Sequence, residues 1–329
     1  RRSRIEIAHH KTGGQYFHDY FHINAVNTNC KDTKKLPQTT YFCKSMGNTL
    51  KEILAQFRQS LADTYPPGEI GGMELAILDR LLNYSRVDAI LHYDTEMPPF
   101  IAEKIKTIAE RLLKHEPIQY ILNDAYFYGY HFNVTPATLI PRPETAGLID
   151  MIVDENPEAD LRILDIGTGS GCIAVSLALA MKFANVSAID ISDEALAVAR
   201  ENARRLKARV RFIKADILSI SAPAKPCYDI IVSNPPYIAD SERTSMDSNV
   251  LDYEPHTALF VPDDDPLMFY RAIARYAYAA LVPGGKLYLE INSRFPAETC
   301  RLLAAHGLTD ARSLPDYRGL PRFVTATRR

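Results

Sequence analysis

From Arg162 onward the chain changes its period and keeps the new one. Short β-branched and apolar runs alternate with stretches of helical spacing. They read "RILDIG" (162–167), a helix from about 171, "VSAID" (186–190), and a helix over 193–206. The series continues with "VRFIKAD" (210–216), "DIIVSN" (229–234), a helix from about 266 to 281, and "KLYLEIN" (286–292). Such alternation specifies a mostly parallel sheet with helices on both faces, an α/β architecture of the Rossmann-like kind. A late "RFVTAT" (322–327) is expected as an added strand beside that sheet.

Upstream the pattern is helical. Leu50, Ile53, Leu54, Phe57 and Leu61 share one face, and Ile101, Ile105, Ile108 and Leu112 share another. "TYPPGEIGG" (64–72) and "TEMPPF" (95–100) punctuate these helices. "AYFYGYHFNVTP" (125–136) alternates around Gly129 as a β-hairpin would. Residues 1–45 show no sustained period and precede Met46, where "MGNTLKEILAQF" reads as a natural beginning. The expected organisation is an extension over 1–45, a helical recognition domain over 46–118, a hairpin linker over 119–140, and the α/β domain over 141–329.

Composition excludes several classes. The net charge of −2 offers no overall basic field for nucleic acid or an anionic membrane. The densest basic stretch, "RENARRLKARVRF" (200–212), has helical spacing and reads as a solvated helix face. Cys30, Cys43, Cys172, Cys227 and Cys300 are scattered and form no C-x-x-C, which argues against a disulfide framework or a zinc site. No apolar run reaches the roughly eighteen residues of a membrane span. A cytoplasmic, reducing location is expected. His18 and His22 have the i, i+4 spacing of two metal ligands but lack supporting carboxylates, so no metal is expected.

"ILDIGTGSGCIAVSLA" (163–178) is a strand, a glycine-rich turn and a helix start. Gly167, Gly169 and Gly171 allow tight turning and close approach of a ligand. A dinucleotide fingerprint would need glycine at Cys172, and a phosphate-binding loop would need Gly-Lys-Ser/Thr. The loop therefore suits a ligand without phosphates. Asp190 ends the second strand, where a carboxylate can hold a ribose diol. Asp216 and Ile217 follow the third, where an adenine would lie. Asp193 is expected to cap the helix after the second strand. D-x-G-x-G-x-G with an acid after strands two and three resembles the class I S-adenosylmethionine-dependent methyltransferases. That resemblance implies a cofactor site of Asp165, Gly167, Thr168, Gly169, Ser170, Gly171, Asp190, Asp216, Ile217 and Asn234. Asp165, Asp190 and Asp216 would make the pocket acidic, as a sulfonium requires.

The fourth strand ends in "NPPY". Asn234 carries an amide acceptor, and Pro235 has a free carbonyl and no N–H. Two acceptors at one corner can hold an NH₂ group by both protons and direct its remaining face at a methyl donor. Pro236 stiffens the turn, and Tyr237 offers a ring for stacking. Asn234, Pro235, Pro236 and Tyr237 are thus the candidate catalytic and substrate-binding residues. The motif is shared by enzymes acting on adenine N6, cytosine N4 and the glutamine amide, so it names a functional group and leaves the molecule open.

From about residue 47 the chain resembles the bacterial release-factor glutamine methyltransferases. The matching pieces are "EPIQYI" (116–121), "FNVTPATLIPRPET" (132–145), the glycine loop, "DIIVSNPPYI", "EPHTALF" (254–260) and "DYRGLPRFVTAT" (316–327). Ala146 stands where that family usually has a second acid, and Ile217 where an aromatic often follows the Asp. The resemblance implies methyl transfer from S-adenosylmethionine to the Gln side chain of the Gly-Gly-Gln loop in class-1 peptide release factors; a monomer is expected. The helical domain would then grip the release factor, and the loop over roughly 238–265 would cover the inserted glutamine. An N6-adenine DNA or RNA methyltransferase using the same corner is the alternative. Gly13, Gly14 and Gln15 reproduce the target triplet, which is expected to be chance.

Overall fold

A computed structural model describes residues 48–329 of the chain. The expected extension, with His18, His22, Gly13, Gly14, Gln15, Cys30 and Cys43, lies outside the described residues. Two compact units divide between Leu122 and Asn123. The hairpin expected as a linker falls in the second of them.

The first unit is helical: α1 (Leu50–Leu61), α2 (Pro67–Leu82), α3 (Arg86–Leu91), α4 (Pro99–Leu112) and α5 (Ile118–Leu122). Thr49 and Glu52 form a capping box at α1, and Ser85 and Asp88 form another at α3. Proline at the first turn starts α2 and α4, where a missing N–H costs nothing. Every apolar residue assigned from periodicity to α1 and α4 is buried. Arg58 Nε donates to the buried Glu74 at 2.6 Å and closes α1 onto α2.

The second unit opens with the hairpin β1 (Ala125–Phe127) and β2 (Tyr130–Phe132). Its two turn residues, Tyr128 and Gly129, both have positive φ, as a tight hairpin turn requires. A 3₁₀ turn over Pro143–Thr145 leads into α6 (Ala146–Glu155). The alternating series follows as β3 (Arg162–Ile166), α7 (Cys172–Ala180), β4 (Asn185–Asp190), α8 (Asp193–Leu206), β5 (Val210–Lys214) and β6 (Tyr228–Ser233). Then come β7 (Ile238–Ala239), α9 (Ser248–Tyr253), β8 (Phe260–Val261), α10 (Met268–Ala280), β9 (Leu281–Glu290), α11 (Pro296–Ala305), β10 (Leu308–Pro315) and β11 (Pro321–Arg328).

The main sheet has seven strands in the order β10-β11-β9-β6-β3-β4-β5. Strands β9, β6, β3, β4 and β5 run parallel, and β11 is antiparallel to both of its neighbours. Successive residues face opposite layers. Leu164, Ile231, Leu287 and Leu289 pack with α10 and α11, whereas Ile163, Ile230, Val232 and Tyr288 pack with α6 and α7. Burial on both faces explains why these strands read as continuous apolar runs.

Three expectations are corrected. The cap of α8 is Ser192, whose hydroxyl accepts from the Ala195 N–H, and Asp193 lies in the first turn. Residues 238–265 are no featureless loop, since β7 and β8 pair in parallel and α9 lies between them. Elements of two to six residues are too short to print a period. The sheet also gains β10, whose exposed, polar edge gives no apolar alternation.

Candidate functional site

The strand order reverses at the β3/β6 boundary, and ligands of such sheets bind beyond the carboxyl ends at that reversal. There the Ser233 hydroxyl donates to the Ile166 carbonyl at 2.7 Å. The glycine turn and the "NPPY" segment therefore leave the sheet side by side.

Backbone bonds shape the turn. The N–H groups of Gly167 and Thr168 both donate to the Ile189 carbonyl, and Gly171 N–H donates to the Thr168 carbonyl. Gly171 has φ 81°, and a Cβ there would lie 3.1 Å from the Ala199 side chain of α8. Gly169 N–H donates to Asp190 Oδ2 at 2.9 Å, and Ser192 N–H to Asp190 Oδ1 at 3.0 Å. Asp190 thus orders the loop as well as facing its edge. Ala215 N–H donates to the Asp190 carbonyl, which brings Asp216 alongside.

Other predicted residues are oriented differently. Thr168 and Ser170 are buried whole, so neither presents a side chain at the loop surface. Asp165 is fully buried and accepts from the Thr168 hydroxyl at 2.6 Å. Burial pushes its carboxyl up to about 7, with the nearby Asp190 charge adding in the same direction. Its carboxyl supports the loop from beneath through that hydrogen bond and does not reach the surface of the crevice. Asp216 accepts from Leu218 N–H at 2.9 Å and the Ser219 hydroxyl at 3.2 Å, forming an Asx turn. Ile217 is 9% exposed and joins the core beside Ile189.

Asn234 follows the last residue of β6. Its Nδ2 lies 3.4 Å from Thr145 Oγ1, and Thr145 Oγ1 donates to Glu290 Oε2 at 2.7 Å. No donor among the described residues takes Asn234 Oδ1 or the Pro235 carbonyl. Tyr237 is anchored on three sides. Its N–H donates to the Leu259 carbonyl, its carbonyl accepts from Asn292 Nδ2 at 2.9 Å, and its hydroxyl donates to Glu290 Oε1 at 3.1 Å. Burial, followed by the Glu290 charge, raises the Tyr237 phenol far above its ordinary range, so it stays neutral. Glu290 is 1% exposed, and burial raises its carboxyl, opposed by the Thr145 hydrogen bond and the Arg322 charge.

Several positions escaped the sequence reading. Thr145 and Glu290 are the buried pair behind the "NPPY" turn. Glu254, 4% exposed, accepts from Arg142 Nη2 at 2.6 Å and from Ile140 N–H at 3.2 Å, tying "IPRP" to "EPHT". Asn202, buried in α8, bonds the Ser170 carbonyl and both backbone groups of Asn133. Two of them had a local signal available. Glu290 is a lone acid ending an apolar strand, and Asn202 is a polar residue on the buried face of an amphipathic helix.

Comparison with known proteins matches residues 52–122 to the PrmC N-terminal domain and 145–252 to the methyltransferase small domain. The release factor glutamine methyltransferase of Bacteroides thetaiotaomicron is 47% identical over 279 residues, covering 85% of this chain and 100% of that protein. That of Flavobacterium psychrophilum is 41% identical over 279 residues, covering 84% and 98%. Among solved structures, TrmN from Thermus thermophilus is 25% identical, with a TM-score of 0.40 over 55% of this chain and 48% of that one.

Proposed function

The chain belongs to the release factor glutamine methyltransferases, and from that premise we propose that its target is the glutamine of the Gly-Gly-Gln motif in class-1 peptide release factors. The observation that carries this reading is the pair of uncommitted acceptors, Asn234 Oδ1 and the Pro235 carbonyl, at the strand-order reversal. A primary amide has two N–H protons in one plane, and two acceptors at a rigid corner satisfy both. The nitrogen is then held with its open face toward the glycine loop. Pro235 and Pro236 cannot donate, so nothing at the corner competes for the acceptors.

The residues present fit S-adenosylmethionine. Gly167 and Gly169 have positive φ, and no heavy atom lies within 4 Å of where a Cβ would sit on either. That bare backbone faces open space into which a nucleoside can approach. Asp190 keeps lone pairs beyond the two amides it accepts and can take a ribose diol. Asp216 and Ile217 would border the adenine. The loop from Gly167 to Gly171 holds no Lys or Arg to oppose a sulfonium. When bound, the cofactor supplies an electrophilic methyl whose bonding pair leaves with sulfur as the amide nitrogen attacks. The protein's part is positioning and electrostatics. Asn234 and Pro235 hold the nucleophile in line, and the alkylated nitrogen then loses a proton to solvent. Residues 238–265 would cover the inserted side chain, and the helical unit would grip the release factor. The enzyme would act as a monomer in the cytoplasm.

Incubation with labelled S-adenosylmethionine and a class-1 release factor tests this. Label should enter the wild-type factor and not a Gln→Ala variant of its triplet. Equal labelling of both would overturn the reading, as would steeply salt-dependent methylation of DNA or RNA in its place.

A further inference from the structure

Glu290 is an unusual end for a strand whose neighbours Leu287, Leu289 and Ile291 are fully buried. A carboxylate in such surroundings needs partners. Its two oxygens accept from Thr145 Oγ1 at 2.7 Å and from the Tyr237 hydroxyl at 3.1 Å, and Arg322 supplies opposite charge. Both donors flank Asn234, one across from it and one three residues on.

The polarity of this chain has a consequence. A carboxylate only accepts, and Thr145 has a single hydroxyl proton. That proton is committed to Glu290, so Thr145 can meet Asn234 only as an acceptor. Asn234 must turn its NH₂ toward Thr145 and its Oδ1 the other way. We propose that Glu290, acting through Thr145, is a positioning residue that fixes which way the Asn234 amide faces, so that the corner offers an acceptor to the substrate amide. This rests on the amide-holding role given to Asn234 above and adds what sets its direction. With the Thr145 proton released, it could donate to Asn234 Oδ1 instead. Asn234 would then present N–H groups to N–H groups and repel the substrate. The same carboxylate holds the Tyr237 phenol, so one acceptor steadies both ends of the Pro235–Pro236 turn.

The test uses the full chain with E290Q, T145V and T145S. Gln at 290 keeps the shape but can donate to Thr145, freeing the hydroxyl proton. E290Q and T145V should each lower kcat on a release factor about 100-fold, with cofactor Kd and release-factor KM within about threefold of wild type. T145S should recover most turnover. A near-normal kcat in E290Q overturns the proposal. So does a fall in kcat matched by equal loss of cofactor affinity or of thermal midpoint, which would assign a structural role. Neutron diffraction on the deuterated wild type reads the direction itself. A deuteron on Thr145 Oγ1 aimed at Glu290 supports the proposal, and one aimed at Asn234 Oδ1 overturns it whatever the substrate proves to be. Absence of wild-type activity on any release factor would instead count against the substrate assignment.

Discussion

The Ser233 hydroxyl reaches across from β6 and bonds the Ile166 carbonyl of β3 at 2.7 Å. Both residues are the last of their strands, so this contact extends the β3/β6 pairing to the point where the glycine turn and the Asn234 corner leave the sheet. S233A should leave a buried carbonyl unsatisfied and lower unfolding free energy by about 1–3 kcal/mol. Chemical denaturation measures that loss. Turnover should fall further than stability alone accounts for, because the tie nearest the two loops is gone.

Asn234→Ala removes one of the two acceptors for the target nitrogen. We expect a loss of about 100- to 1,000-fold in kcat, by analogy with deleting one preorganised hydrogen-bonding group in an active site. Cofactor affinity, read by calorimetry, should be largely retained. An equal collapse of both would mean that Asn234 serves the cofactor more than the amide.

Gly171→Ala should harm both fold and cofactor binding. The position has φ 81°, and its Cβ would meet Ala199 at 3.1 Å. The left-handed backbone alone costs roughly 1–2 kcal/mol for a residue with a Cβ. A lowered thermal midpoint and weaker cofactor binding are expected together, since α8 must shift away from the loop.

Asp165 should leave a signature in the pH dependence of stability. Its folded-state carboxyl is raised to about 7, so the native state holds a proton that the unfolded state has released. Its contribution is fully present below the unfolded value and is lost as pH rises toward about 7. The slope should be on the order of 1 kcal/mol per pH unit between about pH 4 and 7. D165N cannot titrate, so the difference between wild-type and D165N stabilities should trace this slope and flatten above it. A constant difference over that range would show that the group is ionised throughout.

The parallel sheet was legible because its strands are buried on both faces and their β-branched runs have no other plausible home. The helical faces of α1 and α4 were legible for the matching reason, a sustained 3.6-residue period. What stayed hidden depends on distance along the chain. Thr145 and Glu290 are far apart in sequence and meet only because α6 packs under β9, and no local period encodes that. Glu254 and Arg142 are hidden in the same way. Asp190 was expected from its place at the end of β4, yet its bonds to the Gly169 and Ser192 amides could not be read from spacing. The Ser192 cap was missed because serine and aspartate stand adjacent and both make good caps.

One consequence follows from the antiparallel insertion of β11 between β9 and β10, where Phe323 lies opposite Glu290. A ribosome that has finished β9 has not yet made the strand that shields this acid. The polypeptide must emerge through α11 and β10 before β11 can slot between strands synthesised earlier. A nascent chain halted before Pro321 would therefore carry the cofactor loop complete beside an unfinished edge.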